Sequence, residues 1–521
     1  MKDDVYSHDI GAKTAGLASY IFLSKVIAML IAGLALILVA RILGPSVYGV
    51  YTIAIAVAGL FGMASDFGIG TAFNKFIAEH KTLGRIEKID ELMSNGLFAS
   101  LILGVALSAA AFLLSGILSS LILHSTTYTY ILQLAAFMVV VGMIANALNS
   151  ALVGFGKGMH FALMLMAQVV VQALVSVALA LSGYGALAPI LGLLLGGIAQ
   201  IIYALYVILV VNRVKLVRPS LEAMGSIFKF SLPIAATYAL VTMVSSLSFM
   251  VLGAFATTVI VGNVGIASKV GTFIGAFTES IGLSLLPAFA STLATKQKKS
   301  RLNRLYNYSV HISLILSVPV LLSVALLAKQ FTYTAFSSEY AIAPLYVSIV
   351  SIGVIINIVS TYTSTLLIGG NKVKGLFKSY LALTIVQLVA MFALVPAFKG
   401  IGIVILMFIV TPVASVFFFA RESSRALGVK LELGKPLRIM LAGIISVAAF
   451  VPIMIAFPTN SIALLAGIAI EQIIVYPPVL SIVKGVTAGD LDVLKKITKK
   501  IPVLGIVIAL LSDYSSRFAR A

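Results

Sequence analysis

Between Arg41 and Glu79 the chain reads RILGPSVYGVYTIAIAVAGLFGMASDFGIGTAFNKFIAE, a tight turn followed by one long apolar segment that carries a single acid, Asp66. Pro45 and Gly49 punctuate the turn, because proline fixes φ and glycine relieves the steric limits of a close connection. The run from Val47 to about Ala72 exceeds the ~20 residues needed to cross a hydrocarbon core about 30 Å thick. It predicts a membrane span with Asp66 inside it. The rest of the chain follows suit: 61% of residues are hydrophobic and 10% charged, against roughly 25% charged in an ordinary soluble domain. Cysteine is absent, which excludes disulfides and thiolate metal sites. Tryptophan is absent too, leaving Tyr and Phe to supply any interfacial belt.

Reading the apolar runs in order predicts fourteen spans, near residues 16–40, 47–72, 94–123, 129–153, 160–182, 187–211, 226–252, 257–285, 306–328, 342–368, 376–396, 401–420, 437–457 and 461–483. The polar start, MKDDVYSHDIGAK, precedes an apolar segment too long for a signal-peptide core and without a small-residue cleavage site, so the first span is expected to stay in the mature protein. A net charge of +19 would suggest nucleic acid in a soluble protein. Here the positions of the charges decide otherwise. Of 36 Lys and Arg, three (Arg41, Lys329, Lys399) fall in one set of loops and three (Lys25, Lys229, Lys269) within spans. The remaining 30 fall in the two tails and the opposite loops. That asymmetry predicts cytoplasmic termini and makes the basicity a topology signal, with no nucleic-acid partner.

Sliding the sequence against itself by 213 residues brings Gly49 onto Gly262, Ile53 onto Ile266, Gly62 onto Gly275, Phe76 onto Phe289 and Asp66 onto Glu279. A similar offset carries the basic loop 75–88 onto 296–304 and the short loop at Lys157 onto that at Lys372. The shared offset argues for an internal duplication of six spans. Because six is even, both halves enter the membrane with the same orientation. The predicted organisation is a lobe over residues 1–218, a second over 219–430, and a last hairpin with a basic tail over 431–521. Polar segments at 212–224 and 421–438 act as connections, and Pro219 interrupts the first. Residues 490–521 join a basic amphipathic stretch to an apolar run too short to span, which is expected at the inner interface. Intramembrane prolines such as Pro233, Pro319 and Pro412 are expected to serve packing first.

No metal-ligand cluster, Walker-type loop or catalytic triad occurs, so neither ATP hydrolysis nor a cofactor is expected. What remains are ionisable residues inside spans: Lys25, Asp66, Lys269, Glu279 and Glu471. Each costs about 2.5–3.5 kcal/mol at a helix centre, so they are expected to face protein or a wet cavity. Lys25 lies sixteen residues before Arg41 and Asp66 seventeen after Gly49, which places both about 25 Å from the outer turn on antiparallel neighbours. They are expected within ion-pair range, serving either function or packing. Tyr238 stands where the repeat would put a second Lys25, so Glu279 has no equivalent partner. Lys269, about 10 Å below Gly262 with no acid one turn away, is the first candidate to meet an anionic ligand. Glu471, alone in the last hairpin, is expected to serve packing.

The run R-I-L-G-P-x-x-Y-G-x-Y (Arg41 to Tyr51), then S-D-F-G-I-G-T-A (Ser65 to Ala72) and F-S-L-P-I (Phe230 to Ile234), resembles the polysaccharide exporters and lipid-linked oligosaccharide flippases of the multidrug/oligosaccharidyl-lipid/polysaccharide superfamily. The resemblance covers essentially the whole chain. It implies an all-α polytopic membrane protein of two pseudo-symmetric six-helix lobes plus a hairpin, with a V-shaped central cavity lined by spans 1, 2, 7 and 8. It further implies alternating-access movement of a polyprenyl or dolichyl (pyro)phosphate bearing sugars from the cytoplasmic to the outer leaflet, with glycosyltransferases of the same pathway as partners. A cationic cavity suits Lys25, Arg41 and Lys269 against phosphate, lysine as a point charge and arginine as a fork. Relatives use sodium or proton gradients, which would give Asp66 or Glu279, with Tyr238 beside them, a coupling or gating role.

Two other classes compete. A cation-coupled multidrug antiporter of the same superfamily would prefer a net acidic cavity, whereas the embedded charge of the first lobe is cationic. A membrane-embedded sugar transferase or polymerase would need a large outer loop or an acidic metal motif, and no outer loop exceeds about fifteen residues. The expected location is the plasma membrane.

Overall fold

A computed structural model describes residues 2–64, 68–294, 298–456 and 461–486. Asp66 and the tail at 490–521 lie outside the described residues. All regular structure among the described residues is helical, as expected where lipid offers backbone groups no hydrogen bonds. In chain order the helices are α1 Lys2–Phe61, α2 Ile69–Thr82, α3 Ile86–Ile122, α4 Thr129–Gly154, α5 Gly158–Leu181, α6 Leu187–Tyr206, α7 Leu221–Phe255, α8 Thr258–Ser284 and α9 Leu286–Ala294. They continue with α10 Lys298–Leu326, α11 Ala328–Ala335, α12 Ala343–Gly369, α13 Val373–Ile405, α14 Thr411–Leu427, α15 Gly434–Ala456, α16 Ser461–Ile470 and α17 Tyr476–Ile482.

Among the described residues, ten helical stretches are long and apolar enough to cross a membrane. Two of these each hold two expected spans. The stretch Leu23–Phe61 is broken at Gly44 (φ 70, ψ 170), and Val373–Leu427 is broken at Lys399 (φ 49, ψ −121). Shorter apolar helices at Ala239–Phe255 and Ala466–Ile482 account for the seventh and fourteenth. Outward-facing side chains such as Leu113, Leu181 and Val389 are at least two-thirds exposed, a surface that suits lipid and not water.

Two expectations need correction. The second span, expected unbroken over 47–72, ends as an α-helix at Phe61, tightens over Gly62–Ala64 and gives way to a new helix at Ile69. Gly68 sits at φ 72, ψ 7, left-handed backbone in which glycine is at home. The stretch expected to be a basic loop, 75–88, is largely helical, because α2 runs to Thr82 with Phe73 and Ile77 on a buried face. Alternation of apolar and basic residues at helical spacing was the available signal.

The repeat is visible in the backbone. The loop after α4 turns through Gly156 (φ 69), with Lys157 N–H donating to Leu152 O at 3.0 Å. The loop after α12 turns through Asn371 (φ 55), with Lys372 N–H donating to Leu367 O at 2.9 Å. Left-handed residues recur in step elsewhere: His124 with Ser337, Gly185 with Lys399, Arg213 with Gly428. The offset between these pairs varies between 213 and 215, as small insertions and deletions in loops produce.

The connections after each half are held alike. Asp90 and Ser94 of α3 accept from the backbone N–H groups of Lys215 and Val217, both at 2.9 Å. In the second half Asn303 and Asn307 of α10 accept from Lys430 and Glu432 N–H, also at 2.9 Å. An extended strand cannot satisfy its own donors, so side chains one helical turn apart do so.

The described chain divides into two compact units, residues 1–265 with 395–403 and residues 266–394 with 404–521. In the first, the core lies among α2 to α6, around Phe73, Ile77, Met93, Leu148, Leu152 and Met164. In the second, Leu367, Leu376, Leu383 and Phe419 knit α12, α13 and α14 together, and Leu327, Phe450 and Leu464 hold the last hairpin against the end of α10.

Candidate functional site

The turn that the sequence marks most strongly is a rigid seat. α1 breaks at Gly44, and the following residue is Pro45, which lacks the N–H a continuing helix would need. Just beyond, α1 meets the start of α8 so closely that backbones touch. A Cβ on Gly49 would lie 1.9 Å from Thr258 O, and one on Gly262 2.0 Å from Pro45 O. Ser46 Oγ and Thr258 Oγ1 share a hydrogen bond of 3.0 Å. The glycines that the duplication pairs in sequence thus face each other in space. Tyr48 is fully buried against this contact and lies beside Tyr51, ring centroids 5.3 Å apart. The Gly-Pro-x-x-Tyr-Gly pattern therefore builds packing, and the chemistry has to come from the charges around it.

Arg41, three residues before the break, is exposed, and so is Lys25. They stand sixteen residues apart on one helix, about 24 Å. In the second unit Lys269 and Glu279 of α8 are both exposed and ten residues apart, about 15 Å, so they make no direct pair. Asp66, the expected partner of Lys25, lies outside the described residues, as does the side chain of Tyr238. Exposed cations on otherwise apolar helices are costly against lipid and suit a wet, anion-receiving surface.

A further feature, without a signal in the sequence pattern, lies at the start of α2. Gly70, Thr71, Asn74 and Lys75 with Ser150 of α4 line a cleft of about 330 Å³. Thr71 and Lys75 are one helical turn apart, and the Lys75 ammonium lies over the Phe76 ring, 4.9 Å from its centroid. In the sequence Lys75 stands out only as one charge of the stretch expected to be a basic loop, 75–88. At the other end of α2, Lys81 donates to Phe155 O at 2.6 Å. Burial, then the neighbouring Lys157, hold the Lys81 ammonium below its ordinary pKa.

This arrangement of helices is a known transporter fold. The chain superimposes on an inward closed structure of the lipid II flippase MurJ with a TM-score of 0.73 at 15% identity, covering 89% of this chain and 98% of that one. An inward-facing multidrug resistance transporter of the MATE family gives 0.63 at 17%, covering 76% and 94%. A superfamily transporter from Pyrococcus furiosus, described as having a binding pocket of reversed polarity, gives 0.52 at 16%, covering 79% and 95%. No curated protein sequence matches significantly. The profile of the polysaccharide biosynthesis protein family matches residues 17–293, more than half the chain, and the chain belongs to that family.

Proposed function

We propose that the chain is a transporter, a flippase that moves a lipid-linked oligosaccharide or polysaccharide precursor from the cytoplasmic to the outer leaflet by alternating access. The family match over residues 17–293 carries this reading. The exposed cations Lys25, Arg41 and Lys269 support it, since a polyprenyl or dolichyl (pyro)phosphate head needs counter-charge inside the membrane. Asp66 and Glu279, with Tyr238, are the candidates for coupling to a sodium or proton gradient. Glycosyltransferases that build the sugar chain are the expected partners, and the plasma membrane, with both termini in the cytoplasm, the expected location.

A drug antiporter is the second reading, favoured by the likeness to the MATE transporter. Reconstituted vesicles separate the two. The flippase moves a fluorescent lipid-linked oligosaccharide between leaflets, and Lys269→Gln slows it by about tenfold at low substrate while Lys269→Arg keeps part of the rate, as expected for a lost charge-assisted contact of about 1.5 kcal/mol. An antiporter instead exchanges cationic drugs and is indifferent to that substitution. Topology has its own check: in this cysteine-free chain a single cysteine at Ser300 should resist a membrane-impermeant thiol reagent in intact cells. Ready labelling would reverse the direction of transport.

A further inference from the structure

Within residues 461–483 the ionisable side chains are Glu471 and Tyr476. Glu471 lies ten residues after Ser461 and eleven before Ile482, so about 15 Å of helix separates it from either end. Its side chain is 2% exposed. The helix widens at this point into a π turn, Glu471–Val475, between α16 and α17. Such single turns are frequent at functional positions.

Neutral groups surround the carboxyl. Ser446 of α15 is hydrogen-bonded to Oε1, and Ser323 of α10 donates to Oε2 at 3.3 Å. Gln472 Nε2 donates in turn to Ser323 Oγ at 3.4 Å. Among the described residues, charged groups on the neighbouring elements stand far off. On α15 they are Lys435 and Arg438, the nearer eight residues from Ser446 and about 12 Å along the axis. On α10 the nearest titratable side chain is His311, twelve residues before Ser323, about 18 Å away. Lys329, at the start of α11, is exposed and its ammonium lies over the Tyr333 ring, 5.8 Å from the centroid. α16 carries no titratable group. On α17 the facing group is Tyr476, whose hydroxyl is buried and has no hydrogen-bond partner.

A carboxylate here would bear a desolvation penalty of several kcal/mol with no opposite charge among the described residues to offset it. Binding a proton removes the penalty and costs no hydrogen bond: Glu471 then donates from Oε1 to Ser446 Oγ while Ser323 still donates to Oε2. A sodium ion would have to part the oxygens it bridges, whereas Ser446 and Glu471 touch directly. We propose that Glu471 is an intramembrane proton-binding site, with Ser446, Ser323 and Gln472 as the shell that orients the proton. Giving up that proton leaves a charge the shell stabilises poorly, so release is tied to parting the last hairpin from α10. The proposal uses neither Asp66 nor Glu279 and stands whether or not the flippase reading does.

The test uses the full-length protein in nanodiscs near neutral pH. Infrared spectra of wild type minus Glu471→Gln should show a protonated-carboxyl carbonyl band that the variant loses. Ser446→Ala should retain that band but shift it, since one hydrogen bond to the carboxyl is gone. This second variant carries the reading if the first does not fold. Dicyclohexylcarbodiimide, which attacks protonated carboxyls in apolar surroundings, should modify Glu471 equally in sodium chloride and N-methylglucamine chloride. Loss of a carboxylate band in place of the carbonyl band, no shift in Ser446→Ala, or protection by sodium alone would overturn the proposal.

Discussion

The second and eighth spans hold equivalent places in the duplication and are built differently. In the first half the helix stops at Phe61 and restarts at Ile69. In the second, α8 runs on through Gly275 and Glu279 to Ser284. The glycines at the head of each stretch, Gly62 and Gly275, do not decide this, since a Cβ on either would meet nothing within 4 Å. The residues that follow do. Gly68 takes φ 72, and its counterpart 213 residues on is Ile281, a β-branched residue for which left-handed backbone is strongly unfavourable. One position in the repeat thus separates a broken span from a continuous one.

The comparison can be broken most severely at the contact the halves share. Gly262→Val should lower stability by about 3–5 kcal/mol, because its side chain would overlap the Pro45 carbonyl. Gly275→Ala, in open space on the same helix, should be neutral or stabilise by up to about 1 kcal/mol. Denaturant unfolding in detergent measures both, and equal stabilities would dissolve the distinction between the two glycines.

A smaller effect separates the two linker clamps. Asn307 accepts from Glu432 N–H and also donates Nδ2–H to Lys430 O at 2.9 Å, whereas Ser94 holds its linker through one bond. Asn307→Ala should cost about 2 kcal/mol and Ser94→Ala about 1. Proteolysis within 428–433 should quicken in the first variant, and within 212–220 in the second. The reverse ranking would mean that the clamps are not the anchors of these connections.

An effect of similar size sharpens the break itself. Gly68→Ala should cost about 1–2 kcal/mol, the penalty of left-handed backbone for a residue with a Cβ. Ile281→Gly should loosen α8 by about 1 kcal/mol without strain. Hydrogen exchange over 276–284 should rise in the Ile281 variant alone, and a rise in both would tie the two stretches together.

The sequence by itself determined the order of the apolar runs, the 213-residue offset and the turns at Lys157 and Lys372. Apolar runs and Gly, Asn and Pro punctuation act within a few residues of themselves. The halt at Phe61 was legible in principle, for Gly68 stands in the motif, but a glycine within an apolar run is compatible with continued helix until its φ is known. Only the tertiary structure decided that Gly49 faces Gly262, that Asp90 and Asn303 clamp the linkers, and that Ser323 and Ser446 enclose Glu471. These partners stand 25 to 213 residues apart in the chain. The packing of whole helices brings them together, and no local pattern records which faces meet.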